Sequence, residues 1–225
     1  FQNKDDLSIF QKKRILVKNI PIIIQGSGVL TKKFTEGKQK KIYDLIFHSR
    51  IIKDKGIFEI IDALKILRNK NINLKALILG DPDDKNRSSI TLNQLDLWVK
   101  ENLIIWKSKV KNVIPFLQKS KISILPSYRE GLPKGLLEAA SCKLPLISTN
   151  VPGCREICKN NFNGFLVKPK DSESLAKSIE RLIFDERLMK KFGANSRKLV
   201  QQKFSADIVF KNFLGVYREV LKKDP

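Results

Sequence analysis

The 225-residue chain has one histidine (His48), one methionine (Met189) and three cysteines (Cys142, Cys154, Cys158). Three cysteines cannot close a paired disulfide framework. Cys154 and Cys158 lie four apart, but a zinc site needs further ligands and the one histidine is far away in sequence. The cysteines therefore read as reduced thiols, and His48 as a strand-end or core residue. No uninterrupted apolar run is long enough to span a bilayer, and the first residues do not read as a secretory signal peptide. There is no GxxxxGK[ST] phosphate loop. The GSG at 26–28 lacks a third glycine at dinucleotide-binding spacing and opens no clear helix. With Phe1 first and Met189 the only methionine, the chain reads as a piece of a longer protein.

Basic charge is plentiful. Lys and Arg number 44 against 23 Asp and Glu, a net charge of +21. These residues are scattered along the chain, with no long basic run and no aromatic-interleaved patch. That disfavours nucleic acid and leaves anionic headgroups or phosphorylated ligands as the partners such charge attracts.

Between residues 42 and 184, short apolar runs alternate with helical periodicity. YDLIF (43–47) precedes Gly56–Arg68, where Ile57, Ile60, Ile61, Leu64 and Leu67 share one face. LKALILG (74–80) precedes a polar loop and a helix holding Leu92, Leu95 and Val99. NLIIW (102–106), KISILPS (121–127), LPLIST (144–149) and NGFLVK (163–168) complete the series. This alternation predicts an α/β fold, a Rossmann-like parallel sheet with helices on both faces. From Asp171 the spacing predicts C-terminal helices: one capped by Asp171 or Ser172, one broken at Gly193, and a last amphipathic one over Phe204–Leu221. Asn3 can cap a short helix through Phe10, and IPIII (20–24) then leads to the GSG. The first 25 residues read as a remnant or linker.

In open α/β sheets ligands bind at the carboxyl ends of strands. Those ends fall at Ser49–Arg50, Gly80–Asp81, Trp106–Lys107, Pro126–Ser127 and Thr149–Asn150. At one of them stands SYREGLPKGLLEA (127–139). Gly131 and Gly135 permit close backbone approach, and Pro133 suits a helix start, so the following helix aims free N–H groups and its positive end at the cleft. Arg50 and Lys55, in SRIIKDKG, can converge on one diphosphate as a fork and a point charge. By spacing alone, each of Arg50, Lys55, Glu130 and Glu138 also reads as an ordinary surface or helix-end residue.

Together, SYREGLPKGLLEAASCKLPLISTNVPGCREI, the upstream HSRIIKDKG, LGDPDDKNRSSI and the downstream NGFLV resemble the C-terminal domain of GT-B-fold glycosyltransferases of family four. The likeness is to the subgroup that builds bacterial capsule, O-antigen and polyprenyl-diphosphate-linked glycans. It implies three segments: 1–28 as the end of an N-terminal domain and linker, 29–203 as the nucleotide-sugar-binding domain, and 204–225 as a crossover helix. It implies that Glu130 hydrogen-bonds the donor sugar, that Glu138 takes the ribose hydroxyls, and that backbone amides of Leu132, Lys134, Gly135 and Leu136, beside Gly131 and Pro133, receive phosphate or sugar oxygens. Arg50 and Lys55 match the pair that stabilises the leaving diphosphate without a metal. Gly80 and the Trp106–Lys109 loop, with Lys107, would lie near the base. The implied partners are a nucleotide sugar, UDP-linked, and a lipid-linked or glycan acceptor; no cofactor is expected, since the nucleotide sugar is substrate. The implied location is cytoplasmic, at the inner face of the membrane. Ser49, Lys143 and Leu30 depart from the glycine, glycine and aspartate common in the family. Two other readings stay open on the residues alone: a GT-B nucleotide-sugar epimerase, and a basic membrane- or nucleic-acid-binding module without chemistry.

Overall fold

The computed structural model describes residues 1–15 and 21–221. Ile20 of the IPIII run, residues 16–19 and the last residues of the expected crossover segment, 222–225, lie outside the described residues. Six strands form one parallel sheet: β1 Tyr43–His48, β2 Ala76–Leu79, β3 Ile105–Lys107, β4 Ser120–Leu125, β5 Leu146–Thr149 and β6 Gly164–Val167. Their order is β3-β2-β1-β4-β5-β6. Leu45, Ile46, Phe47, Leu77, Ile78, Ile122, Ile124, Leu146 and Ile147 are all buried, because a parallel sheet covered on both faces has no wet side and takes near-continuous aliphatic runs.

Helices α1 Lys4–Lys12, α2 Ile57–Asn69, α3 Leu92–Lys100, α4 Ile114–Gln118, α5 Lys134–Ser141, α6 Cys154–Ile157, α7 Ser172–Ile183, α8 Glu186–Lys203 and α9 Ala206–Leu221 complete the chain. α2 packs on α7, and α5 packs on α8. Asn3, Thr91, Asp171 and Asp185 cap α1, α3, α7 and α8, each accepting a backbone N–H three residues on; the sequence expectation for Asn3 and Asp171 holds. Among the described residues, no helix is long and apolar enough to cross a membrane.

Two expectations need correction. Gly193 does not break a helix: α8 runs unbroken from Glu186 to Lys203. Its glycine is needed for packing, since a Cβ there would lie 2.3 Å from the Lys143 carbonyl oxygen. Lys143 itself is left-handed (φ 59), in a conformation that favours glycine. The third strand is Ile105–Lys107 rather than 102–106. Asn102 is also left-handed (φ 52), ending the turn after α3, and the Arg68 guanidinium holds the carbonyls of Glu101 and Asn102. The strand can start only after Leu103 and Ile104 have turned into the core.

One arginine ties the segment before β1 to the domain. Arg197 of α8 donates to the carbonyls of Thr31, Phe34 and Ser141 and to the Ser141 hydroxyl. Val29 exchanges backbone bonds with Phe204 and Ala206. Arg197→Ala strips four acceptors of their charged donor and should cost about 2–4 kcal/mol in urea unfolding. All three thiols are buried. Burial pushes Cys154 up to about 11 and Cys142 up to about 12, so the thiolate that reacts is scarce. The native chain should leave a thiol reagent such as DTNB unreacted at pH 8, with all three thiols reacting in denaturant.

Candidate functional site

The strand order reverses at one place. β1 lies between β2 and β4, so the connection leaving β1 goes one way and the chain later returns to pair on its other side. Beyond the carboxyl ends of β1 and β4, the flanking loops part and leave a crevice. The conspicuous residues gather here. After β1, Ile51 and Ile52 are buried and a tight turn, Lys53–Lys55, ends at Gly56. Gly56 has φ 79, and a Cβ on it would sit 2.2 Å from the Pro126 carbonyl; only glycine lets the two strand-end loops touch.

That contact delivers Lys55 to Glu130. The ammonium and carboxylate are 2.5 Å apart, with side chains only 14% and 11% exposed. Neighbouring bonds hold both loops. The Tyr128 N–H and the Ser127 hydroxyl donate to the Asp54 carbonyl, and the Thr149 hydroxyl donates to the Ser127 carbonyl. The Tyr128 hydroxyl donates to Glu59 of α2 at 2.7 Å, and the Lys170 ammonium lies 5.1 Å from the Tyr128 ring centre. Burial, reinforced by the Glu59 carboxylate, pushes the Tyr128 hydroxyl well above its ordinary pKa, so it remains a donor. From the other side α1 closes in: Asn3, 1% exposed, donates to the Gly131 carbonyl, Asp6 pairs with Arg129, and Asp5 pairs with Arg155.

Next to this seam lies a cleft of about 710 Å³, lined among others by His48, Arg50, Gly80, Asp83, Lys134 and Glu138. Arg50, 59% exposed, is 2.6 Å from Asp83. Asp81 accepts from the Ser108 hydroxyl and the Lys109 N–H. The acidic loop after β2 is thereby drawn across the strand ends. Glu138 faces the cleft between Lys134, at 3.8 Å, and His48, at 3.4 Å.

The residues expected from sequence are thus gathered at one end of the sheet, with some changes. Lys55 and Arg50 are each engaged by a carboxylate, Glu130 and Asp83. Leu136 does not offer a free amide, because its N–H donates to the Pro133 carbonyl, and Pro133 has none to offer. Lys134 and Gly135, in the first turn of α5, keep N–H groups that no helix bond claims. Of the expected residues, Arg50, Gly80, Lys134 and Glu138 line the cleft, whereas Lys55, Glu130, Gly131, Leu132, Pro133, Gly135, Leu136 and Lys107 are not among its lining residues; the wall expected near Lys107 is built from Lys109 to Ile114. Sequence reasoning placed His48 at a strand end and Asn3 at a helix cap, but not their contacts with Glu138 and Gly131, nor the Glu59–Tyr128 pair. A buried cap residue such as Asn3 carries no sequence signal for the distant loop it holds. Among the described residues, no three His, Cys, Asp or Glu side chains are grouped to hold a metal ion.

The sequence model of the family "Glycosyl transferases group 1" matches residues 29–199. The chain belongs to this family. Staphylococcus aureus capsular polysaccharide biosynthesis glycosyltransferase CapM is 36% identical over 174 residues, 77% of this chain and 45% of that protein. N,N'-diacetylbacillosaminyl-diphospho-undecaprenol alpha-1,3-N-acetylgalactosaminyltransferase from Campylobacter jejuni is 25% identical over 227 residues, 95% of this chain and 58% of that protein. The chain therefore spans about half the length of the curated relatives it matches. Anabaena Alr3699/HepE, solved with UDP and glucose, superimposes with a TM-score of 0.83 at 16% identity, over 97% of this chain and 62% of that one. At that identity the likeness shows the fold, the Rossmann-like domain of GT-B glycosyltransferases.

Within this glycosyltransferase domain the Lys55–Glu130 pair is the most enclosed charge pair at the strand ends. Removing the ammonium alone leaves a carboxylate with little water around it. Lys55→Met should cost about 3 kcal/mol in urea unfolding, and Lys55→Met combined with Glu130→Leu should recover most of that loss.

Proposed function

We propose that the chain is the donor-binding half of a retaining glycosyltransferase. It takes a nucleotide sugar, UDP-linked, and supplies the sugar to a lipid-linked or polysaccharide acceptor in cell-surface glycan synthesis. One observation carries this reading: Arg50, Lys134 and Glu138 line a cleft at the strand-order reversal of a group 1 glycosyltransferase domain, and Lys55 pairs with Glu130 between the strand-end loops after β1 and β4. The printed names of its relatives, a capsule enzyme and a transferase acting on a diphospho-undecaprenol carrier, point to the same acceptor class. UDP in the complex of the structural neighbour supports the base.

In this reading the bond between the anomeric carbon and the diphosphate breaks, and negative charge grows on the departing diphosphate. Arg50, Lys55 and the free N–H groups of Lys134 and Gly135 meet that charge from a fixed framework, which is where electrostatic stabilisation is most effective. No metal is needed for the role these groups fill. Glu130 accepts hydroxyls of the sugar, and Glu138 accepts those of the ribose. The acceptor is held by the other half of the enzyme, at the cytoplasmic membrane surface, where the chain's net charge of +21 favours anionic lipid and the acceptor's own diphosphate.

Calorimetric titration with UDP, ADP and GDP in EDTA, on this chain and on Glu138→Ala, tests the reading. UDP should bind with Kd about 0.1–1 mM, tighter than ADP or GDP. Glu138→Ala should weaken it at least about tenfold, the effect of losing hydrogen bonds to a charged group. Absence of nucleotide binding here and in a chain that carries both halves would end the proposal.

A further inference from the structure

His48 is the last residue of β1, aligned with Leu79 of β2. Its side chain is only 10% exposed, yet it lines the cleft. Its Nε2 is buried and, among the described residues, has no hydrogen-bond partner. An unpaired polar nitrogen in that position costs free energy that a phenyl or isobutyl group of similar size would not. Glu138 Oε2 lies 3.4 Å away, close enough for a hydrogen bond but not aligned for one. α5 is laid down on the imidazole: a Cβ on Gly135 would be 3.1 Å from Nε2 and 3.0 Å from the His48 carbonyl oxygen. The glycine thus lets the ring and the helix bearing Glu138 approach each other.

Glu138 needs such a neighbour. Its other contact, Lys134, is 3.8 Å away with a side chain 67% exposed, and a pair that open to water holds a carboxylate only weakly. An ionised carboxylate offers about four acceptor positions on two oxygens. Two ribose hydroxyls fill part of that capacity, and a donor from the protein side can fix the plane of the group while they do so.

We propose that His48 is a positioning residue for the nucleoside end of the donor site: its Nε2–H holds the Glu138 carboxylate in the orientation that receives the ribose hydroxyls. This rests on the donor-site reading of Glu138. A ligand that reaches Glu138 expels water from the cleft, and a small rotation of the carboxylate toward the imidazole N–H turns the 3.4 Å approach into a charge-assisted hydrogen bond. The imidazole makes no contact with the diphosphate or the transferred sugar. Its contribution is discrimination in favour of a ribonucleotide.

The test compares UDP with 2′,3′-dideoxy-UDP by calorimetry, on the wild-type chain, His48→Phe, His48→Gln and Glu138→Ala. The wild type should prefer UDP by about ten- to hundredfold. His48→Phe should reduce that preference to about twofold or threefold while leaving affinity for the dideoxy ligand unchanged. His48→Gln, which keeps an N–H donor, should restore most of the preference. A purely packing role predicts equal losses for both ligands in His48→Phe and no rescue by Gln, and that pattern would overturn the proposal. Should the Phe variant fail to fold, the wild type decides alone. His48 is the chain's one histidine, so nitrogen-15 spectra of the untagged chain report its Nε2 directly. UDP should move that resonance and dideoxy-UDP should not; a resonance unmoved by saturating UDP would sink the idea. If Glu138→Ala binds UDP as well as wild type does, the donor-site reading and this proposal both fail. If Glu138→Ala weakens UDP but His48→Phe does not alter the preference, only this proposal fails.

Discussion

Lys55 and Glu130 are 75 residues apart in sequence and meet across the seam between β1 and β4. Each comes from a loop at a strand's carboxyl end, and neither loop would be fixed alone. The pair can form because Gly56 brings its turn against the Pro126 carbonyl and because the Asp54 carbonyl takes two donors from the opposite loop. Around it the charges are compensated: Asp83 by Arg50, Asp6 by Arg129, Asp5 by Arg155. In a chain of net charge +21, four carboxylates, Glu130, Asp83, Asp6 and Asp5, are thus set against cations at one end of the sheet. That allocation keeps several cations close together without mutual repulsion opening the loops.

The fold was legible because a parallel sheet leaves a strong trace. Runs such as LIF (45–47) and ALIL (76–79) are buried on both faces, and the intervening helical stripes have a different period. Misreadings arose where one residue answers to two rules. Gly193 looked like a breaker by propensity, but close packing against Lys143 prevailed. Leu103 and Ile104 looked like strand by composition, but the left-handed Asn102 postponed the strand. The same competition limited the site. Arg50, Lys55, Glu130 and Glu138 were marked by their positions near strand ends and by family resemblance. His48 and Asn3 approach neighbours 90 and 128 residues away, and no local pattern in a single sequence encodes a pairing at that range.

α1 shows how the segment ahead of the domain bears on the site. Asn3 uses its side-chain oxygen to cap its own helix and its side-chain nitrogen to hold the Gly131 carbonyl. One buried amide therefore links the start of the described chain to the backbone next to Glu130. At the other end, α9 buries Val209 and exposes Phe210, Phe213, Tyr217, Val220 and Leu221, a helix with more apolar surface than the domain itself covers.

The Arg50–Asp83 contact has a consequence for any anion entering the cleft. The guanidinium, although largely exposed, already has a carboxylate at 2.6 Å. Any anion that came to Arg50 would thus be exchanged for Asp83, and its affinity would be the difference between two attractions. The loop after β2 works as a built-in competitor at fixed local concentration.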